Sequence, residues 1–257
     1  MTRKLLRATG AAMTLQLAGT TALAKDGVAL ALASEDRAII DRSFGQSVMG
    51  EAIPAEGLAN PSGLLDLSPG PRTFRVRTEA GDESDQRYEL EPIASREGRA
   101  TWRYRQQGSE SGFIEKLADG SFVLTGVEDN ETGAVTRYSP AEPLLIAGMT
   151  PGEERRFRMQ VRVFESARSN KIAHEGELEV VHRYLGAYRL RLPSGTYDAI
   201  VLKSVFHGKV GPADLDDVQY RFFSPGPGLV ATIEKRDVSA FLIYNAHLNE
   251  AKWLALN

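Results

Sequence analysis

The chain has 257 residues, no cysteine, a quarter of its residues charged and a net charge of −3. Without cysteine neither a disulfide nor a lipid-modified N-terminal cysteine is available, so the fold must rest on burial alone. The acidic balance argues against nucleic acid as a partner.

The N-terminus places Arg3, Lys4 and Arg7 before an apolar stretch through Leu15 and Leu17 that reaches Ala22-Leu23-Ala24, with no acidic residue among them. This order predicts a secretory signal peptide over residues 1–24, too short and too diluted by Thr9, Thr14 and Gln16 for a membrane span. Its removal leaves 233 residues with a net charge of −6, because the segment carries three basic residues and no acidic one. Residues 25–62 then hold one helix, expected from Ser34 as N-cap to Gly50, with Ile40, Phe44 and Val48 on one face, followed by an irregular connector rich in Pro and Gly.

From Arg72 onward short segments alternate apolar and polar residues with period two between turn residues, which is the pattern of half-buried antiparallel strands. Examples are Trp102 and Tyr104, Phe157-Met159-Val161-Val163, Tyr188-Leu190-Leu192, Tyr220-Phe222 and Phe241-Ile243. The expected fold class is all-β, an antiparallel sandwich or bent open barrel of about a dozen strands with one short N-terminal helix. Residues 63–257 form one β-domain. Leu67-Ser68-Pro69-Gly70 and Met149-Thr150-Pro151-Gly152 each lead into an arginine-bearing strand, which suggests two related halves, 63–146 and 147–257.

The Leu67–Gly70 entry, Pro143-Leu144-Leu145-Ile146 before Pro151-Gly152, the stretch Pro193 to Ala199, and Phe222 to Val230 with its Pro225-Gly226-Pro227-Gly228 core carry a family look. On these residues the chain resembles the TapB-like family of bacterial exported β-proteins of unknown function. It departs from that pattern in having Phe74 where a tryptophan is expected, and in Phe223 and Pro227. The resemblance implies a β-rich exported protein and transfers no catalytic or binding residue.

No cofactor motif, nucleophile elbow or thiol is present, and His174, His182, His207 and His247 have no zinc spacing. The sequence therefore assigns no catalytic, cofactor-binding or metal residue. The acidic clusters around Asp82, Glu128 and Asp214-Asp216-Asp217 read as solvated hairpin tips. Two binding surfaces compete. Arg75, Arg77, Arg103, Arg105, Arg156, Arg158, Arg189 and Arg191, with Arg162 and Arg221, fall opposite the apolar positions and would form a basic face for an anionic ligand, unless they pair with Glu177, Glu179 or Gln219. Phe157, Met159, Val161, Tyr220 and Phe222 would line a concave apolar site for a lipid. Function reads as an exported, periplasmic, non-catalytic binding or structural module of the envelope. A carrier of an apolar ligand is the alternative and an envelope hydrolase a distant third. The partner is open between an anionic envelope component, a lipid and a protein, with no transmembrane segment in the mature chain. The exported protein is expected to begin at Lys25. Intact mass measured on protein from an envelope fraction checks this, and a retained residue 1 to 24 segment would contradict it.

Overall fold

The structure, a computed structural model, describes residues 27–96, 99–240 and 244–255. The signal segment and the expected strand residues Phe241 to Ile243 lie outside the described residues. Among them stand one α-helix, α1 (Ser34–Phe44), and strands β1 (Met49–Ile53), β2 (Gly70–Thr78), β3 (Glu83–Arg96), β4 (Arg99–Gln106), β5 (Glu110–Lys116), β6 (Phe122–Asp129) and β7 (Val135–Leu145). They continue as β8 (Glu154–Phe164), β9 (Ile172–Leu192), β10 (Gly195–Val210), β11 (Ala213–Ser224), β12 (Gly228–Ala240) and β13 (Tyr244–Leu254).

From β2 to β13 each strand pairs antiparallel with the next, and β13 returns to pair with β2, Ala251 opposite Arg77 and Trp253 opposite Arg75. The result is a closed up-and-down barrel of twelve strands. The expected sandwich or open barrel is thus corrected. Its edges are absent because β8 also pairs along its length with β9, from Glu154 opposite Arg183 to Phe164 opposite Ile172. Closure removes the unpaired backbone groups that an open sheet would expose. β9 is 21 residues long. Its first half pairs with β8 and its last residues with β1, Ala187 to Leu190. Between them the register against β10 shifts at Leu185-Gly186, a bulge that bends the strand. Six strands follow Pro69-Gly70 and six follow Pro151-Gly152.

A twelve-stranded ring is wider than the eight strands whose side chains alone fill a barrel. Part of the excess is taken up by residues 55–67, which enter one end. Leu58 and Leu64 pack with Ile114, Leu124, Leu145, Tyr184 and Phe223. Leu58 exchanges backbone hydrogen bonds with the 148–149 turn, donating to Met149 at 2.7 Å and accepting from Gly148 at 2.9 Å, and the Tyr184 hydroxyl donates to the Glu56 carbonyl at 3.1 Å.

The helix is shorter than the sequence predicts. It stops at Phe44 because Gly45 adopts φ 104°, and Val48 lies past it; Ala33, not Ser34, is the capping residue, without a side-chain cap. α1 lies on the outside of the barrel, where Ile40 and Phe44 meet Tyr220, Phe222, Ile233 and Trp253. The Phe44 ring stands edge-on to Phe222 at 5.6 Å. Asp36 anchors it: buried, it accepts from Lys203 Nζ at 2.6 Å and from the Tyr220 hydroxyl at 2.7 Å. Removing that carboxylate leaves a largely buried ammonium and a phenol without partners. Asp36→Ala is therefore expected to lower unfolding free energy by about 3 kcal/mol in urea titration while far-ultraviolet circular dichroism stays that of a barrel. An unchanged midpoint would mean the helix is held by its apolar face alone.

Candidate functional site

Antiparallel pairing fixes which side chains enter the barrel, since partners directly across a ladder share a face. Ser204, opposite His182 and Gln219, carries the inward set from β9 to β11. Gln219 opposite Glu234, and Glu234 opposite Glu250, continue it to β13. Arg72 opposite Tyr88, Leu90 opposite Tyr104, and Trp102 opposite Ile114 carry it to β5. The interior therefore holds many polar groups, and between them lies a cavity of about 220 Å³.

One part of its wall is apolar: Leu65, Leu67, Ile114, Leu124, Leu144, Phe223 and Leu229. A second part is aromatic, with Phe74 edge-on to Tyr88 at 5.4 Å and Tyr88 tilted on Tyr104 at 6.2 Å. Gly112 makes this stack possible, because a Cβ there would stand 2.1 Å from the Tyr104 ring. The remaining wall is charged: Arg72, Glu110, Arg221, Glu234 and Lys252.

Most of these charges are matched. Arg72 pairs with Asp66 at 2.6 Å, Lys252 with Glu250 at 2.6 Å and with the Tyr88 hydroxyl at 3.2 Å, and Arg221 with Glu142 and the Gln219 side chain. Arg236 is shared by Asp217, at 3.1 Å, and Glu234. Glu110 has no cationic partner among the described residues and accepts only the Tyr104 hydroxyl, at 3.2 Å. Burial raises the Glu110 pKa and Glu234 adds to it, against the Tyr104 hydrogen bond and the more distant charges of Lys252 and Arg236. Burial likewise pushes Asp217 from 3.8 up to about 6 against the pull of Arg236. Burial alone would lower Lys252, but Tyr88 and Glu250 more than reverse this and hold it above the ordinary lysine range. The phenols of Tyr104 and Tyr138 are raised by burial and by nearby carboxylates.

The sequence-predicted residues fall elsewhere. Six arginines of the expected basic face, Arg75, Arg77, Arg103, Arg105, Arg156 and Arg158, stand on the outer wall, whereas Arg189 and Arg191 alternate with Tyr188 and Leu190 beneath α1 and so take the opposite face, where β9 runs beside β1; all eight stand beside a carboxylate. Arg75 meets Asp85 at 2.9 Å, Arg77 meets Glu83 at 2.7 Å, and Arg103 and Arg105 share Glu91. Arg156 meets Glu154 at 2.7 Å, Arg158 meets Glu179 at 3.5 Å, Arg189 meets Asp198 at 2.9 Å and Arg191 meets Glu51 at 3.2 Å. A wall facing lipid carries an apolar band, whereas this one carries cross-strand charge pairs and suits water. Among the described residues no helix is long and apolar enough to cross a membrane.

Arg221 and Gln219, expected outside, point into the barrel, and Asp217, expected at a solvated tip, is buried. The five apolar candidates split between faces. Phe157, Met159 and Val161 lie inside against Leu178, Val180 and Phe206, away from the cavity. Tyr220 and Phe222 pack outside beneath α1, and of the five only Tyr220 also borders the cavity. The sequence reading missed Tyr88, Tyr104, Glu110, Glu234 and Lys252. For Glu234 and Lys252 the signal was the period-two polar pattern Asp217-Gln219-Arg221, Glu234-Arg236 and Glu250-Lys252 on strands whose other face is apolar; Tyr88, Tyr104 and Glu110 carry no such signal.

Among the described residues one serine–histidine contact is present, His182 Nδ1 to Ser204 Oγ at 2.8 Å, both buried. Burial drives the His182 pKa down from 6.5 to about 3, with Arg221 and Arg155 adding to the effect. Such an imidazole is too weak a base to activate a hydroxyl near neutrality. Among the described residues no three metal-ligating side chains converge.

The fold and cavity define a water-facing antiparallel barrel with a polar, partly hollow interior. No family model and no curated protein matches the chain, so the TapB-like resemblance rests on the quoted residues alone. Among solved structures, a Bacteroides fragilis protein assigned as exported, with a YmcC-like fold, aligns at a TM-score of 0.45 and 13% identity, covering 75% of this chain and 97% of its own. The hypothetical lipoprotein YmcC of Escherichia coli K12 aligns at 0.39 and 10% identity, covering 75% and 89%. A Parabacteroides distasonis protein assigned as a lipoprotein aligns at 0.33 and 11% identity, covering 75% and 96%. At these scores the likeness transfers no function.

The two buried titrations oppose one another. The raised Asp217 keeps its proton in the folded state, so its contribution is present below 3.8 and lost as pH rises through about 6. The lowered His182 stays neutral when folded, so its contribution is present above 6.5 and lost as pH falls toward about 3. Between roughly pH 4 and 6 the slopes cancel. Relative to wild type, Asp217→Asn is expected to gain stability as pH rises across that window, and His182→Gln to lose it. Urea midpoints at pH 4 and 6 check this, and parallel curves for all three proteins would refute the burial of these groups.

Proposed function

We propose that the chain is an exported, non-catalytic binding module of the bacterial envelope that holds a small amphipathic molecule inside its barrel. The cavity of about 220 Å³, apolar along one wall and charged along the other, carries this reading. A protein with a purely structural role gains by filling such a space, since interiors pack closely and each void forfeits contacts. The volume also limits the occupant. A cavity of about 150 Å³ lined by apolar side chains takes up one benzene ring, so this one suits roughly nine non-hydrogen atoms and not the acyl chains of a whole lipid. Export is supported by the basic, apolar, small-residue order of residues 1–24 and by an outer wall of charge pairs suited to an aqueous compartment. A weakly basic, fully buried His182 supports the non-catalytic part.

Native mass spectrometry of protein purified from its own envelope fraction, beside a denatured control, tests the proposal. A released mass of about nine non-hydrogen atoms is expected from the wild type. Leu124→Trp, which places an indole in the cavity, is expected to abolish it without loss of the barrel spectrum. A wild type that is always free of bound mass, or a mass that Leu124→Trp retains, would overturn it.

A further inference from the structure

We propose that the cavity selects a small amphipathic cation, a primary amine or guanidine on a short apolar body, with Glu110 receiving its charge; the inference rests on the binding reading above. Charge balance within the barrel interior decides which class of molecule fits. Arg72, Arg221 and Lys252 each have a carboxylate within ion-pair distance, so none offers a free positive charge to a ligand. Arg236 serves two carboxylates, Asp217 and Glu234. Glu110 lines the cavity and has only the long Tyr104 hydrogen bond. The surroundings are thus short of cations, and an incoming carboxylate or phosphate would add to an existing excess. An ammonium or guanidinium would instead supply the donor that Glu110 lacks, in a setting where charge-assisted hydrogen bonds are strong.

The geometry also fixes how such a molecule lies. Glu110 and Ile114 face the same side of β5, four residues apart, which spans about 14 Å along an extended strand. Ile114 belongs to the apolar wall with Leu124 and Leu144. A cationic head at Glu110 therefore sends its body along β5 toward the plugged end of the barrel, past the Tyr88 and Tyr104 rings, whose faces also favour a cation. Burial, which raises Glu110 in the empty cavity, makes binding of a cation release a proton wherever the carboxyl is still protonated.

Isothermal titration calorimetry at pH 7 with n-heptylammonium, n-heptanol and n-heptanoate, which share one apolar body, tests the inference. Heptylammonium is expected to bind about tenfold or more tighter than heptanol, and heptanoate weakest of the three. Glu110→Gln is expected to remove the advantage of the amine and leave heptanol unchanged, and Leu124→Trp to block both. Equal binding of amine and alcohol by the wild type, or a preference for heptanoate, would overturn the cation assignment while the cavity reading stands. Absence of binding by all three probes would overturn both.

Discussion

The pairing of β8 with the first half of β9 is the constraint on which the rest of this molecule depends. Together with the β13 to β2 ladder it turns a twelve-stranded meander into a ring, and a ring has an inside. Once closed, every strand residue is committed by the pleat either to that interior or to the outer wall, and a slip of one residue would exchange the two sets. The ring is also too wide for side chains of ordinary size to fill. The 55–67 segment, the stacked aromatic rings and the long Arg, Lys and Glu side chains occupy most of the space, and the cavity is what remains.

A consequence is that charge stands on both surfaces of the wall but behaves differently on each. Outside, arginines and carboxylates face each other across strands in water, where each pair contributes at most about 1 kcal/mol. Inside, the same residue types are desolvated, and their arrangement must be near complete for the fold to tolerate them. Arg221 with Glu142, Lys252 with Glu250 and Arg236 with its two carboxylates meet that demand. Glu110 does not, and as a cavity-lining residue it marks the part of the interior that is open to a partner.

Much of this was legible in the sequence. Strand alternation placed Phe157, Met159 and Val161 inward and Arg75, Arg77, Arg103 and Arg158 outward, because on those strands only one face is apolar. The existence of about a dozen strands and one helix followed from turn residues and periodicity. What failed, failed for one physical reason. On β11 to β13 both faces are covered, the inner by the barrel and the outer by α1, so Tyr220 and Phe222 look like a lining while Gln219 and Arg221 look solvated. In fact Gln219 and Arg221 line the cavity, while Phe222 and the Tyr220 ring are buried beneath α1. Local pattern cannot tell which covered face is interior, because that depends on where Ile40 and Phe44 dock, some 180 residues away in the chain. Closure was equally invisible, since an open sheet and a barrel share the same alternation and differ only in the long-range partner of the last strand.

The central claim is that the interior of this barrel, and not its arginine-bearing outer wall, is where a ligand sits. A crystal structure of the protein isolated from its native envelope fraction tests it most directly. The account predicts density for a small molecule between Leu124 and Glu110, with a polar atom in hydrogen-bond contact with the Glu110 carboxylate. An interior holding only water and side chains, or a ligand bound along the outer arginines, would contradict it.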